Sequence, residues 1–153
     1  CESIAELLKV ETLRDAKESD LKKIIDIVTP ANYQKALYVI QEIDRTQKAA
    51  KAIEENNLKT LGTLIYASHY GLQHQYKVSC NELDFLVDQA KKNKNVLGAR
   101  MMGGGFGGCT INLIERSEVK AFSETVSKAY KNKFNKECSF YFGELSAGTH
   151  LVK

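Results

Sequence analysis

The chain has 153 residues, 43% of them hydrophobic and 27% charged, a composition typical of a single globular domain. Its formal net charge of +3 is too small to indicate a nucleic-acid or acidic membrane partner, and no apolar run reaches the roughly eighteen residues of a transmembrane span. No signal peptide opens the sequence and its four cysteines form no C-x-x-C pair, so we expect reduced thiols in a cytoplasmic protein.

The first half of the sequence has the three-to-four-residue apolar spacing of helices. A short helical pattern opens the chain, and residues 10–29 form a connector with another short helix. A long amphipathic helix is expected from Pro30, its first residue, to about Glu55. After a break at residues 56–57, the next helix is expected to run antiparallel to the long one because the connection is so short.

Residues 68–80 contain two histidines and a cysteine, which raises the question of a metal site. His69, His74 and Cys80 lack both the H-x-x-x-H and the paired-cysteine spacings, so we expect no metal there. A hydrogen-bonded His69 at a helix end is the favoured interpretation, and no nucleophile or orienting carboxylate can be assigned to it as a catalytic base. The next helix is expected to have Asn81 as its N-cap and to end in a solvated, lysine-rich loop at residues 91–95.

A glycine-rich loop lies between two segments with the alternation of strands, residues 96–102 and 109–114. Five of the ten glycines occupy the six positions 103–108, whereas two suffice for a tight hairpin. The excess indicates close approach of the main chain to a ligand or to another backbone. The loop matches G-x-G-x-x-G, but a strand follows it, which disfavours a Rossmann site, and no Lys-Ser/Thr pair completes a Walker A loop.

The last part of the sequence predicts a helix followed by two strands. The helix is expected to begin near Ser117 and to end about Phe134. Alternating apolar residues predict a third strand at residues 138–142, and residues 149–152 a fourth. Helices followed by a strand-rich half predict an α+β fold, with an antiparallel sheet of about four strands packed against the helices.

Two stretches resemble a known family of enzymes. Residues 97–111, LGARMMGGGFGGCTI, resemble the third signature motif of the GHMP small-molecule kinases, and are similar to galactokinases in particular. That family usually has Thr where this chain has Met102. Residues 68–80 also resemble a galactokinase segment, S-H-x-S-L-R-D-D-Y-E-V-S-C. The chain departs from that segment at Gly71, Gln73, His74, Gln75 and Lys77.

The resemblance implies that residues 1–153 are the ferredoxin-like carboxy-terminal domain of an ATP-dependent sugar kinase. Such a kinase makes α-D-galactose 1-phosphate and ADP from galactose and ATP, with Mg²⁺. The chain begins at Cys1 rather than Met, so we expect a fragment of a longer protein. In the family, the main phosphate loop, the catalytic Asp and most sugar contacts belong to the amino-terminal half. We therefore expect no catalytic residue and no metal ligand here, and no kinase activity from the fragment alone.

The resemblance also implies a role for the loop, in which Gly103, Gly104, Gly105, Gly107 and Gly108 line the phosphate side of the active site. Three alternatives remain open. They are a kinase for another sugar such as N-acetylgalactosamine, a non-catalytic galactose-sensing regulator, and an interaction domain without a ligand. The sequence leaves open the sugar, the oligomeric state, and the activity of a parent enzyme that carries Gln73, His74, Gln75 and Met102.

Overall fold

A computed structural model describes residues 1–143 and residue 151. In this part of the chain, the structure has six α-helices and one antiparallel hairpin. The helices are α1 (Glu2–Leu8), α2 (Glu18–Lys22), α3 (Pro30–Glu54), α4 (Leu58–Gly71), α5 (Asn81–Lys92) and α6 (Val119–Phe134). The strands are β1 (Val96–Met102) and β2 (Cys109–Ile114). Shorter elements are 3₁₀ turns at Leu13–Asp15 and Arg116–Glu118 and a π-helical turn at Leu72–Tyr76.

The long helix and its successor form as their sequences predict. The Thr29 side chain caps α3, in which Pro30 is the first residue, and the Asn57 side chain caps α4. Near the end of α4, the Ser68 hydroxyl donates to the carboxylate of Glu42, which lies in the middle of α3. The two helices are therefore antiparallel, as expected from the short connection.

The hairpin also confirms its expected strands. It pairs Met102 with Cys109 next to the loop and Val96 with Ile114 at the other end, with an irregularity after Val96. Helix α4 lies so close to β1 that a β-carbon on Gly62 would come 2.0 Å from the carbonyl oxygen of Leu97. The two main chains therefore touch, and α4 and β1 form a closely packed pair.

Three apolar clusters hold these elements together. One joins α1, α2 and α3 around the fully buried Leu21. A second fills the space between the hairpin, α5 and α6, and includes Ala99 and Phe122. The third contains Tyr38 and Met101 and lies beside the π-helical turn. The glycine loop thus begins two residues after Met101, which is 0% exposed.

The α+β class is confirmed, but the sheet of about four strands is wrong for the described residues, where the sheet has two strands. Residues 138–142, the expected third strand, have no regular secondary structure. Phe140 packs against the second cluster, whereas Tyr141 is 88% and Phe142 71% exposed. Alternation predicts a strand only where a neighbouring backbone pairs with it, and no described strand does so here. The expected fourth strand, residues 149–152, lies outside the described residues apart from Leu151, which has no regular structure.

Local details differ from expectation at three further places. Helix α5 has Cys80 rather than Asn81 as its N-cap, and the π-helical turn after α4 was not foreseen. An amphipathic α3 is expected to leave its charged residues to solvent, but the Arg45 side chain is only 15% exposed and pairs with Glu42. None of the described helices is long and apolar enough to cross a membrane.

Candidate functional site

The loop between β1 and β2 consists of backbone conformations that L side chains rarely adopt. Gly103, Gly105 and Gly108 have φ angles of +81°, +88° and +97°, and Gly107 has +145°. A β-carbon strains the main chain in this region, which is why glycine occupies it. Phe106 also has a positive φ, 59°, and its side chain is 76% exposed. The loop therefore presents bare main chain and one exposed aromatic ring.

At its centre the loop rests directly on another part of the main chain. The Phe106 N–H donates to the carbonyl oxygen of Val78, with 2.7 Å between the nitrogen and the oxygen. A β-carbon on Gly105 would lie 2.1 Å from the same oxygen. Close approach to another backbone, one of the two expected explanations of the glycines, is therefore confirmed at Gly105.

The remaining glycines of the loop have open space around them. A β-carbon on Gly103, Gly104 or Gly107 would meet nothing within 4 Å, and one on Gly108 only the Met102 carbonyl oxygen at 3.9 Å. These positions leave their peptide groups uncovered by side-chain carbon, a property of loops that bind phosphate. Binding of a nucleotide by these glycines stays a prediction.

The acceptor of the loop, the Val78 peptide, is itself held on both sides. Its N–H donates to the carbonyl oxygen of Leu72 at 3.0 Å, so it ends the π-helical turn that continues α4. Lys77, between the turn and Val78, has a left-handed conformation with φ of 61°. This turn was not predicted from the sequence, because its side chains differ little from those of an ordinary helix end. Single π turns inside helices occur often at functional sites.

His69 connects α4 to the start of the loop. Its side chain is 1% exposed, and its Nδ1 accepts the backbone N–H of Met101 at 3.2 Å, on the edge of β1 that does not face β2. Burial lowers the pKa of His69, so the ring is neutral at physiological pH and carries its proton on Nε2. The expectation of a hydrogen-bonded His69 at a helix end is confirmed.

The other candidate ligands of residues 68–80 do not join His69. His74 is exposed and its ring contacts the Tyr70 ring in a tilted arrangement, with 4.3 Å between the ring centroids and 55° between the ring planes. Among the described residues, no group of three or more His, Cys, Asp or Glu side chains could hold a metal ion. Cys80 is a free thiol, as are the other three cysteines.

An acidic side chain that the sequence pattern did not indicate lies next to His69. Asp84, in the first turns of α5, has its Oδ1 3.4 Å from the His69 Nε2, without the alignment of a hydrogen bond. The same oxygen accepts the hydroxyl of Ser79 at 2.5 Å. Ser79 lies directly after Val78, so this carboxylate is close to both sides of the loop's support. Only a serine just before a helix and an acid in its first turns could have indicated this pair.

A second polar group ties β1 to α3. The carboxylate of Glu42 accepts the Ser68 hydroxyl and pairs with Arg45, while the Arg100 Nη1 lies 3.5 Å away. The Arg100 Nε also donates to the carbonyl oxygen of Met101. Burial, and secondly the negative charge of Glu42, raise the pKa of Tyr38 to about 12. This cluster holds the strand before the loop in place.

These features define an α+β domain with a glycine-rich hairpin loop, and comparison with known proteins gives its family. Residues 49–132, more than half of the chain, match the family model described as GHMP kinases C terminal. The chain therefore belongs to this family.

Within it, the chain is similar to proteins named galactokinase. It is 36% identical over 152 residues to the galactokinase of Thermotoga neapolitana, covering 99% of the chain and 42% of the relative. It is 38% identical over 157 residues to that of Clostridium beijerinckii, covering 99% and 40%. The solved structure of Lactococcus lactis galactokinase complexed with galactose superposes with a TM-score of 0.85 at 34% identity, over 92% of this chain and 36% of that one. The chain thus spans about two fifths of the length of these relatives.

Proposed function

We propose that residues 1–153 are the carboxy-terminal domain of an ATP-dependent sugar kinase of the galactokinase type. The reaction is transfer of the γ-phosphoryl group of ATP to galactose, giving α-D-galactose 1-phosphate and ADP. The family match and relatives named galactokinase over 99% of the chain support this proposal. The cytoplasm is the proposed compartment, because thiols stay reduced there and all four cysteines are free.

The observation that carries the proposal is the bare glycine loop held in a fixed position. Phosphoryl transfer is catalysed by positioning and by stabilising charge on the phosphate oxygens, for which backbone N–H groups are suitable donors. Gly103, Gly104 and Gly107 offer main chain without a neighbouring side chain, while Gly105 keeps the loop on Val78. In the proposed enzyme, these residues close the phosphate side of the active site opposite the phosphate loop of the other domain.

The proposed roles of this chain are limited to binding and orientation. Mg²⁺ supplies charge neutralisation at the phosphates in kinases of this kind. The described residues bring together no acidic or histidine cluster that fits a metal ion, so no step is assigned to Mg²⁺ here. No residue of this chain is proposed as the catalytic base.

A direct test is to assay ADP release by the full-length protein that carries this chain, with galactose, N-acetylgalactosamine or no sugar. Galactose-dependent ADP release is expected, and the isolated 153-residue chain is expected to give none. The matched pair Gly105→Val and Gly143→Val is tested in parallel. Gly105→Val should sharply lower turnover because its side chain fits neither the φ of +88° nor the contact with Val78, whereas Gly143 lies outside the loop and has open space around its β-carbon position.

The outcomes separate the alternatives. ADP release with N-acetylgalactosamine but not galactose would identify a kinase for that sugar. Galactose binding without ADP release would favour a galactose-sensing regulator. If no sugar bound and no sugar gave turnover, the proposal would be contradicted, and an interaction domain without a ligand would remain.

A further inference from the structure

Two backbone N–H groups, one just before the glycine loop and one at its centre, donate to acceptors outside the hairpin. The first is the N–H of Met101, which lies two residues before Gly103 and donates to His69 Nδ1 at 3.2 Å. The second is the N–H of Phe106, which donates to the carbonyl oxygen of Val78 at 2.7 Å. Since both flank a run of glycines with little conformational restriction of its own, they decide where the loop lies.

The supports of these two anchors meet at one carboxylate oxygen. The Oδ1 of Asp84 lies 3.4 Å from His69 Nε2, on the ring that holds Met101. The same oxygen accepts the hydroxyl of Ser79, the residue that follows Val78. A displacement of Asp84 would therefore reach the loop along both routes, through the imidazole and through the main chain of residues 78–79.

Burial restricts the His69 ring to one orientation. His69 is 1% exposed and Met101 is 0% exposed, so the ring has no solvent-filled space into which it could turn. Because Nδ1 accepts the Met101 N–H, the proton of the neutral ring lies on Nε2, which is 3.4 Å from the Asp84 Oδ1 but not aligned with it as a hydrogen bond. The carboxylate thus favours the tautomer and the ring orientation that the first anchor requires.

We propose that His69, Asp84 and Ser79 are positioning residues for phosphoryl transfer, acting through Met101 and Val78 to hold the glycine loop at the phosphate side of the active site. They touch no substrate in this proposal. It rests on the proposed function for its catalytic consequence, but the order of the loop can be measured without any activity.

The test uses hydrogen–deuterium exchange with mass spectrometry on the full-length protein that carries this chain. A peptide covering residues 103–108 reports the loop, and a peptide covering residues 36–43 of α3 is the reference. Ser79→Ala removes the hydroxyl bond to Asp84, and Ser123→Ala, whose hydroxyl donates only within α6, is its matched control. We expect Ser79→Ala to raise exchange of the loop peptide about tenfold, a loss of order 1.4 kcal/mol, with the reference peptide and the Ser123→Ala protein unchanged.

Two substitutions of His69 test the contributions of its two ring nitrogens separately. The Asn side-chain oxygen can take the place of Nδ1, whereas the Gln amide reaches toward the place of Nε2. His69→Asn should therefore retain more protection of the loop peptide than His69→Gln, because it preserves the acceptor for Met101. His74→Asn, at an exposed position, should leave exchange unchanged.

Kinetic measurements distinguish a positioning role of these residues from a purely structural role. Ser79→Ala and Asp84→Asn should lower kcat about tenfold or more with the urea midpoint of unfolding unchanged, because misplaced phosphate contacts cost turnover. Unchanged loop exchange in both variants would overturn the proposal, as would a rise that the reference peptide shares equally. If the protein is not a kinase, the exchange results still decide whether these residues hold the loop, so the two proposals fail separately.

Discussion

The carbonyl oxygen of Val78 lies 2.1 Å from the point that a β-carbon on Gly105 would occupy, so the two main chains meet where no side chain fits. The contact is made by main-chain atoms, which all residues have. It is possible only because Gly105 lacks a β-carbon. The position of the loop therefore depends on glycine at one place and on main-chain geometry at the other.

Replacing Gly105 by Ala should displace the loop and destabilise the domain. The substitution adds a β-carbon at a φ of +88° and against the Val78 oxygen, and left-handed strain alone costs about 1–3 kcal/mol. Gly104→Ala is the control, since Gly104 lacks a positive φ and has no atom within 4 Å of its β-carbon position. Urea unfolding should show a lower midpoint for the first variant only. Equal midpoints for both would contradict the contact.

Replacing Gly62 by Ala should destabilise the domain although it improves helix propensity. In an exposed helix interior this change stabilises by about 1 kcal/mol. Here the new methyl group would lie 2.0 Å from the Leu97 carbonyl oxygen, and overpacking costs about 1–3 kcal/mol. Thr63→Ala, on the exposed neighbouring position of α4, is the control. A thermal midpoint for Gly62→Ala at or above that of the unsubstituted chain would show that α4 and β1 are not in contact.

As the pH decreases below about 6.5, the free energy of unfolding of the chain should decrease because of His69. Burial lowers its folded pKa below the unfolded value of 6.5, although Asp84 and Asp88 act to raise it, while Lys91 and Arg100 act to lower it. Between these two pKa values the unfolded chain binds the proton and the folded chain does not, so the stabilisation is complete above pH 6.5 and is lost as the pH falls toward the folded pKa.

This pH dependence can be measured by urea unfolding at several pH values. His69→Asn keeps an acceptor for Met101 but cannot titrate, so its free energy of unfolding should vary less over that window. The Thr63→Ala protein, which is changed at an exposed position of α4 that does not titrate, should keep the slope of the unsubstituted chain. A slope that survives in His69→Asn would assign the effect to other groups.

Removing the charge of Glu42 should lower the pKa of Tyr38 from about 12. The carboxylate acts after burial as the second cause of the raised pKa, so Glu42→Gln removes a repulsion between two negative groups. Spectrophotometric titration of the phenol can follow the change, with Glu54→Gln, on an exposed position of α3, as the control. An unchanged titration in Glu42→Gln would place Glu42 too far from the phenol.

Much of the local structure could be predicted from side-chain pattern. Strands β1 and β2 have the predicted bounds, and α3 begins at Pro30 as expected, because alternation and helix signals act within a few residues. The same rule failed at residues 138–142, where Phe140 packs inward without a paired backbone. Strand formation there depends on a partner far away in the sequence, which the pattern cannot supply.

What the sequence by itself determined is the helix order, the hairpin, and the presence of more glycine than a turn requires. What only the tertiary structure decided is which glycine is in contact, Gly105 against Val78, and which polar side chains converge, His69 beside Asp84. The physical reason is distance: backbone conformation is set mainly by neighbouring residues, whereas a contact across the fold depends on how separate helices and strands pack. The sequence predicted the glycine loop but not the residues that hold it in place.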